Sequence, residues 1–149
     1  PEFDACMACM QNNPHHMDTV GEHIANALQY VEPDKVLRLS ILLHDIGKPQ
    51  TKTTDANGID HFYDHNEAGA VLSKTILRRL KFDNQTTQMV TTLIAHHDIR
   101  FNDALGTGRK HVRRVIHSVG ENLFPYLLDV MEADISAQSD FMRLKKLLH

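Results

Sequence analysis

Apolar residues recur at three- and four-residue intervals through most of the chain, the spacing of helices that bury one face. The first such stretch opens at Thr19, whose hydroxyl can cap a helix while Glu22 reaches back to complete a capping box. Val20, Ile24, Ala27, Leu28 and Val31 make its stripe, and His23 lies on that stripe. Pro33 suits the first turn of a second helix carrying Val36, Leu37, Ser40, Ile41 and His44, which Gly47 and Pro49 terminate. Residues 50–62, with Asn57-Gly58 as a turn, predict a loop or short hairpin. Asp64 then caps a third helix, with Glu67 in the capping-box position and a stripe of Ala68, Val71, Leu72, Ile76, Leu77 and Leu80. A fourth runs from about Asn84 through Met89, Val90, Leu93 and Ile94 to the pair His96-His97. After a loop over residues 101–109, helices near 110–119 and 121–137 flank Gly120, and the second places Leu127, Met131 and Asp134 on one face. The pattern predicts an all-α fold, a helical bundle with a short loop or hairpin after His44-Asp45, and shows no internal repeat.

A chain of 149 residues suffices for one well-buried core and is short for two, so it reads as a single domain over 1–149, with 1–14 as an N-terminal extension. With 16 basic against 19 acidic residues, net charge −3, no general electrostatic drive toward nucleic acid exists, although a phosphate pocket needs only a few cations. No apolar run approaches the roughly 20 residues of a membrane span, and Pro1-Glu2-Phe3-Asp4 lacks the order of a signal peptide. No membrane partner is expected, and a cytoplasmic location follows by default. The two cysteines, Cys6 and Cys9, form a lone Cys-x-x-Cys that lacks the further ligands of a zinc site, and read as inert thiols at a mobile end.

The chemistry concentrates where ionisable residues break the stripes. His23, His44, Asp45 and Asp134 come from three helices, and each occupies or adjoins a position that should be apolar. One buried histidine is usually a hydrogen-bonded core residue; four such groups without matching partners favour a shared cation. His65, His96 and His97 form a second cluster, and an Asp45 bridging two cations would give a two-metal site. Imidazole and carboxylate without thiolate suit a divalent transition metal, one or two per chain, with manganese or iron favoured over nickel, cobalt or zinc.

The order His23, His44-Asp45, Asp134 resembles the signature of the HD superfamily of metal-dependent phosphohydrolases. More narrowly, Asn12-Asn13-Pro14-His15-His16, Leu43 through Pro49, Gly58 through His65, Arg78 through Phe82, His97-Asp98 and Ala133-Asp134 resemble the HD domain of bacterial CCA-adding tRNA nucleotidyltransferases and poly(A) polymerase family proteins. Asp64 stands where those relatives usually carry glycine. The resemblance implies an all-α HD bundle and hydrolysis of phosphate esters. It implies a primary metal on His23, His44, Asp45 and Asp134, with His65 and the His96-His97 pair at positions that supply a second metal in binuclear members. It also implies that nucleotidyl transfer would reside in a separate head domain, so the chain is either a domain of a longer protein or a free-standing relative.

Around these ligands Asp45 and Lys48 are the catalytic candidates. Lys48 reads either as a phosphate contact or as a helix-end cation set against the dipole. His16 could bind substrate above the site or be an exposed residue before a helix, and Arg113 and Arg114 offer either a forked phosphate donor or a solvated edge. His15, His61, His111, His117 and His149 read as surface or supporting residues. The favoured activity is cleavage of phosphomonoesters or phosphodiesters of nucleotides or RNA ends, 2′,3′-cyclic phosphates among them, by metal-activated water. The other reading is a noncatalytic domain that binds a nucleotide or tRNA around a structural metal. Asp98-Ile99-Arg100-Phe101 after the histidine pair replaces the Gly-Tyr-Pro segment of cyclic-dinucleotide phosphodiesterases and argues against that activity.

Overall fold

The computed structural model describes residues 1–12, 18–101 and 108–148, with residues 140–148 as backbone. Helix α2 (Val20–Ala27) begins as expected: the Thr19 hydroxyl accepts from the Glu22 N–H, and the Glu22 carboxylate accepts from the Thr19 N–H. A 3-10 turn, Leu28–Tyr30, ends it. Helix α3 (Lys35–Leu43) starts just after Pro33, with the Asp34 carboxylate accepting from Leu37 N–H at 3.0 Å. Pro49 does not stop the chain after Gly47 but sits inside a one-turn helix α4 (Lys48–Thr51), where a missing N–H costs nothing. The hairpin forms, β1 (Lys52–Thr54) pairing antiparallel with β2 (Asp60–Phe62), and Gly58 takes the positive φ of +75° that its turn requires.

Helices α5 (His65–Arg79), α6 (Asn84–His96), α7 (Gly108–Val119) and α8 (Phe124–Leu148) follow. Helix α3 packs against α2, α6 and α8, and α5 lies along α6. Ile24, Ile41, Leu77, Leu93, Ile94 and Leu127 fill the space between them. Two expectations about α5 fail. Asp64 makes no capping hydrogen bond and instead takes a left-handed conformation, φ +58°. The buried face runs through His65, Gly69, Ser73, Ile76 and Leu77, leaving Val71 and Leu80 exposed. Small residues, Gly69 and Ser73, occupy the middle of that face ahead of the apolar Ile76 and Leu77, and at Gly69 the neighbouring backbone comes close. A Cβ built at Gly47 would lie 2.4 Å from the His65 carbonyl and 2.6 Å from the Gly69 nitrogen, so the turn after Asp45 and the first turn of α5 touch backbone to backbone.

The N-terminus is also more ordered than expected. Residues Glu2–Ala8 form a helix, α1, packed on α2, and both Cys6 and Cys9 are buried in the core. Burial pushes the Cys6 thiol up to about 12, which keeps it unreactive, but its setting is the protein interior and not a mobile end. Among the described residues no helix is long and apolar enough to cross a membrane.

Candidate metal centre

Three segment ends and two mid-helix positions bring the ionisable residues together. His44 is the C-cap of α3 and His97 the C-cap of α6; each ring donates through Nδ1 at 2.6 Å to a last-turn carbonyl, Ile41 O and Ile94 O, which also accepts a longer bond, 3.5 and 3.4 Å, from the same residue's backbone N–H. His65, the first residue of α5, donates through Nδ1 to Phe62 O at 3.0 Å. In all three the backbone fixes the tautomer and leaves the Nε2 lone pair facing inward, the outer-shell arrangement by which proteins orient metal-binding imidazoles. His23 projects from the middle of α2 and Asp134 from the middle of α8.

Around Asp45 these donors divide into two groups. His44 Nε2 lies 3.3 Å from Asp45 Oδ2 and 3.4 Å from Asp134 Oδ1, while His23 Nε2 lies 2.7 Å from Asp134 Oδ1 and 3.7 Å from Asp45 Oδ2. On the other side His65 Nε2 and His97 Nε2 face one another at 3.2 Å and lie 3.3 and 3.4 Å from Asp45 Oδ1. Asp45 therefore turns one carboxylate oxygen to each group.

The donor set fits cations. For metal–ligand bonds of about 2.1 Å, adjacent ligand atoms lie roughly 3.0 Å apart in an octahedron and 3.4 Å apart in a tetrahedron; the His44, His65 and His97 distances of 3.2–3.4 Å match that spacing, while His23 stands at hydrogen-bond distance, 2.7 Å, from Asp134 and 3.7 Å from Asp45. Among the described residues, His44 Nε2 and Asp45 Oδ2 are buried yet make no hydrogen bond of proper geometry. With both Nδ1 atoms donating, His65 and His97 would aim two lone pairs at each other, an arrangement that demands a proton or a cation between them. The charges agree. Burial opposes ionisation of Asp45, but the neighbouring His44 and Lys48 charges outweigh it and hold the carboxyl well below its usual range. Burial likewise opposes ionisation of Asp134, and the hydrogen bond with His23 together with the nearby His44 charge overcomes it. Burial disfavours the His44 imidazolium, yet the carboxylates of Asp45 and Asp134 push the group up to about 10.

The HD domain family matches residues 15–138 of this chain. The chain belongs to that family. Its relatives include the A-adding tRNA nucleotidyltransferase of Deinococcus radiodurans, 34% identical over 92% of this chain and 32% of the relative. The CC-adding tRNA nucleotidyltransferase of Thermus thermophilus is 32% identical over 90% of the chain and 31% of the relative. The bifunctional uridylyltransferase/uridylyl-removing enzyme of Streptomyces coelicolor is 28% identical over 92% of the chain and 16% of the relative. The chain thus spans about a third or less of the length of these proteins.

Not every candidate ligand of the HD domain joins the groups. His96 does not: its Nδ1 donates to Thr92 O at 2.7 Å and its Nε2 lies 3.1 Å from the Ser118 hydroxyl, so it ties α6 to α7. Arg113 lines a separate groove with Ile116, His117 and Glu121, and Arg114 is exposed; neither lines the cleft beside the metal groups. His16 and His15 lie outside the described residues, as does His149. Lys48 is buried and close to the ligands. Its ammonium donates to Gln11 Oε1 at 2.7 Å, lies 3.1 Å from Asp45 Oδ2, and sits 5.2 Å from the centre of the Phe62 ring. With those partners, a helix-end cation set against the dipole does not describe it.

Gln11 carries no periodicity or motif that would single it out from sequence. Its side chain is fully buried, with Nε2 3.3 Å from Asp18 Oδ1, and so links the N-terminal segment to Lys48. Lys48 and His65 open onto a cleft of about 830 Å³ whose other walls include the hairpin, Asp98, Arg100 and Gln138.

Proposed function

We propose that this HD domain is a metal-dependent phosphohydrolase that cleaves phosphomonoesters or phosphodiesters of nucleotides or RNA ends. The observation that carries the reading is Asp45, whose two buried oxygens serve two separate donor groups beside one cleft. His23, His44, Asp45 and Asp134 would hold one divalent transition metal ion, and Asp45, His65 and His97 a second. Ions so bound acidify water and neutralise charge on a phosphoryl group. The chain's own contribution is to keep Asp45 and Asp134 ionised, to hold three imidazoles in one tautomer, and to place the Lys48 ammonium at the cleft wall. There it meets the equatorial oxygens of a phosphate, where charge grows in the transition state. The names of the relatives, tRNA nucleotidyltransferases and uridylyl-removing enzymes, support nucleotide or RNA phosphates as the substrate class and a tRNA partner. Their greater length supports a parent protein in which nucleotidyl transfer resides elsewhere, with 1–149 as one HD unit.

Purified protein loaded with manganese or iron is assayed for phosphate release or ester opening on adenosine 5′-monophosphate, 2′,3′-cyclic adenosine monophosphate and a generic phosphodiester. Turnover that is lost on chelation and in Asp45→Asn is expected. Full metal content without turnover on any of these overturns the reading and leaves a binding domain with a structural metal.

A further inference from the structure

The hairpin beside the metal groups ends in an aromatic pair that the metal chemistry does not use. Tyr63 is 68% exposed, and one face of its ring is covered by the His61 imidazole, centroids 5.3 Å apart and planes within 7°. His61 is itself anchored, its Nε2 2.8 Å from Asp55 Oδ2. Asp55 in turn accepts from the N–H groups of Asn57 and Ile59 and donates its own N–H to Ile59 O, so the turn that makes the hairpin also fixes the base of the stack. An exposed tyrosine usually samples several rotamers, and ordering it costs entropy. Here one ring face is already committed to a partner held by a charged hydrogen bond, and the opposite face is left to solvent.

Tyr63 and His61 line the same cleft as Lys48 and His65. That cleft therefore offers two chemistries side by side: a cation-binding, phosphate-type end and a flat π-face. A sugar phosphate satisfies only the first. A phosphate that carries a planar heterocycle satisfies both, and a cleft of about 830 Å³ accommodates a ligand of that size. We propose that Tyr63, braced by His61 and Asp55, is the stacking platform for the nucleobase of the substrate and makes the cleft selective for nucleotides over base-free phosphate esters. The inference rests on the phosphohydrolase reading only for the site it serves, since stacking on an aromatic face is tolerant of base identity and independent of turnover.

The test is equilibrium binding, by calorimetry on the whole chain, of adenosine 5′-monophosphate, ribose 5-phosphate and a short single-stranded RNA with a 3′-terminal phosphate. The expected result is about tenfold or tighter binding of the base-bearing ligands than of ribose 5-phosphate, kept in Tyr63→Phe, abolished in Tyr63→Ala and reduced in His61→Ala. Preference for the mononucleotide assigns the platform to free nucleotides, and preference for the oligonucleotide alone assigns it to RNA ends. Equal binding of all three, no binding of any, or an unchanged preference in Tyr63→Ala overturns the proposal. Base-dependent binding without any hydrolysis overturns the phosphohydrolase reading while leaving the platform in place.

Discussion

The ammonium of Lys48 lies 3.1 Å from Oδ2 of Asp45, the oxygen that faces the His23, His44 and Asp134 donors, and Gln11 holds it there at 2.7 Å. A positive charge thus already occupies one side of an oxygen that a metal ion would share. Two cations on one carboxylate oxygen repel, by a few kcal/mol at about 4 Å even in a well-screened setting.

Lys48→Met should therefore raise metal affinity about tenfold or more while lowering turnover roughly a hundredfold, the usual loss when one transition-state charge contact is removed. Competitive metal titration and steady-state kinetics on the same sample check both halves. A fall in metal affinity would mean that the ammonium organises Asp45 instead of competing for it.

The two donor groups should separate by mutation. Asp45→Ala removes an oxygen from both and should lose all bound metal, whereas His97→Ala should lose only the second ion. His96→Ala should retain full metal content and lower the melting temperature, because its bonds run to Thr92 and Ser118. Elemental analysis with anomalous scattering decides; loss of metal in His96→Ala would return that residue to the ligand set.

These contrasts mark how far the residues could be read from the sequence. Thr19 with Glu22, the Asn57-Gly58 turn and the stripe that turns Asp134 inward are local, so spacing alone reveals them. His96 and His97 are adjacent, and which of them faces Asp45 depends on the His97 ring folding back onto the Ile94 carbonyl at the end of α6, which spacing does not encode. The Lys48–Gln11 contact joins residues 37 positions apart, and Gln11 lies in the irregular stretch after α1, where no periodicity marks it. Val71 and Leu80 misled because the buried face of α5 runs through Gly69, where the Gly47 backbone comes close, and Ser73, neither of which carries an apolar signal.

The metal-stripped protein should have a stability window set by the site. Asp45 and Asp134 titrate well below their ordinary 3.8 in the fold, so their contribution is present above that pH and is lost as pH falls below it. His44 is raised from 6.5 to about 10, so its contribution is complete below pH 6.5 and is lost as pH climbs toward 10. Thermal melts in chelator should peak between about pH 4 and 6.5. Metal binding displaces the His44 proton, so the melting-temperature gain from added metal should grow above pH 6.5. A melting temperature of the stripped protein that rises between pH 7 and 9 would contradict this.

Asp64 occupies a left-handed conformation, φ +58°, without any capping hydrogen bond to offset it. Glycine at this position relieves about 1 kcal/mol of backbone strain and adds about 0.5 kcal/mol of unfolded-state entropy, a net gain of roughly 0.5 kcal/mol. Asp64→Gly should raise the melting temperature by about 1–2 °C without altering metal content. A decrease would show that the Asp64 carboxylate has a stabilising role of its own.

Gly47 and Gly69 meet where the turn after Asp45 touches α5, yet alanine should have opposite effects at the two. At Gly47 the new methyl would lie 2.4 Å from His65 O, 2.6 Å from Gly69 N and 3.0 Å from Gly69 Cα, all backbone atoms that cannot swing aside. The first turn of α5 must move, carrying His65 away from Asp45. A loss of about 2 kcal/mol and a melting temperature lowered by roughly 4–8 °C are expected, together with weaker binding of the second metal ion. At Gly69 the methyl would lie 3.4 Å from Ile94 Cγ2, 3.5 Å from Gly47 N and 3.7 Å from His44 O, which are ordinary contacts, and the helix interior favours alanine over glycine by about 1 kcal/mol. Gly69→Ala should therefore be neutral or stabilising and keep both metals. Paired melts and metal titrations of the two variants test the claim that backbone contact at Gly47 positions His65, which fails if Gly47→Ala is tolerated as well as Gly69→Ala.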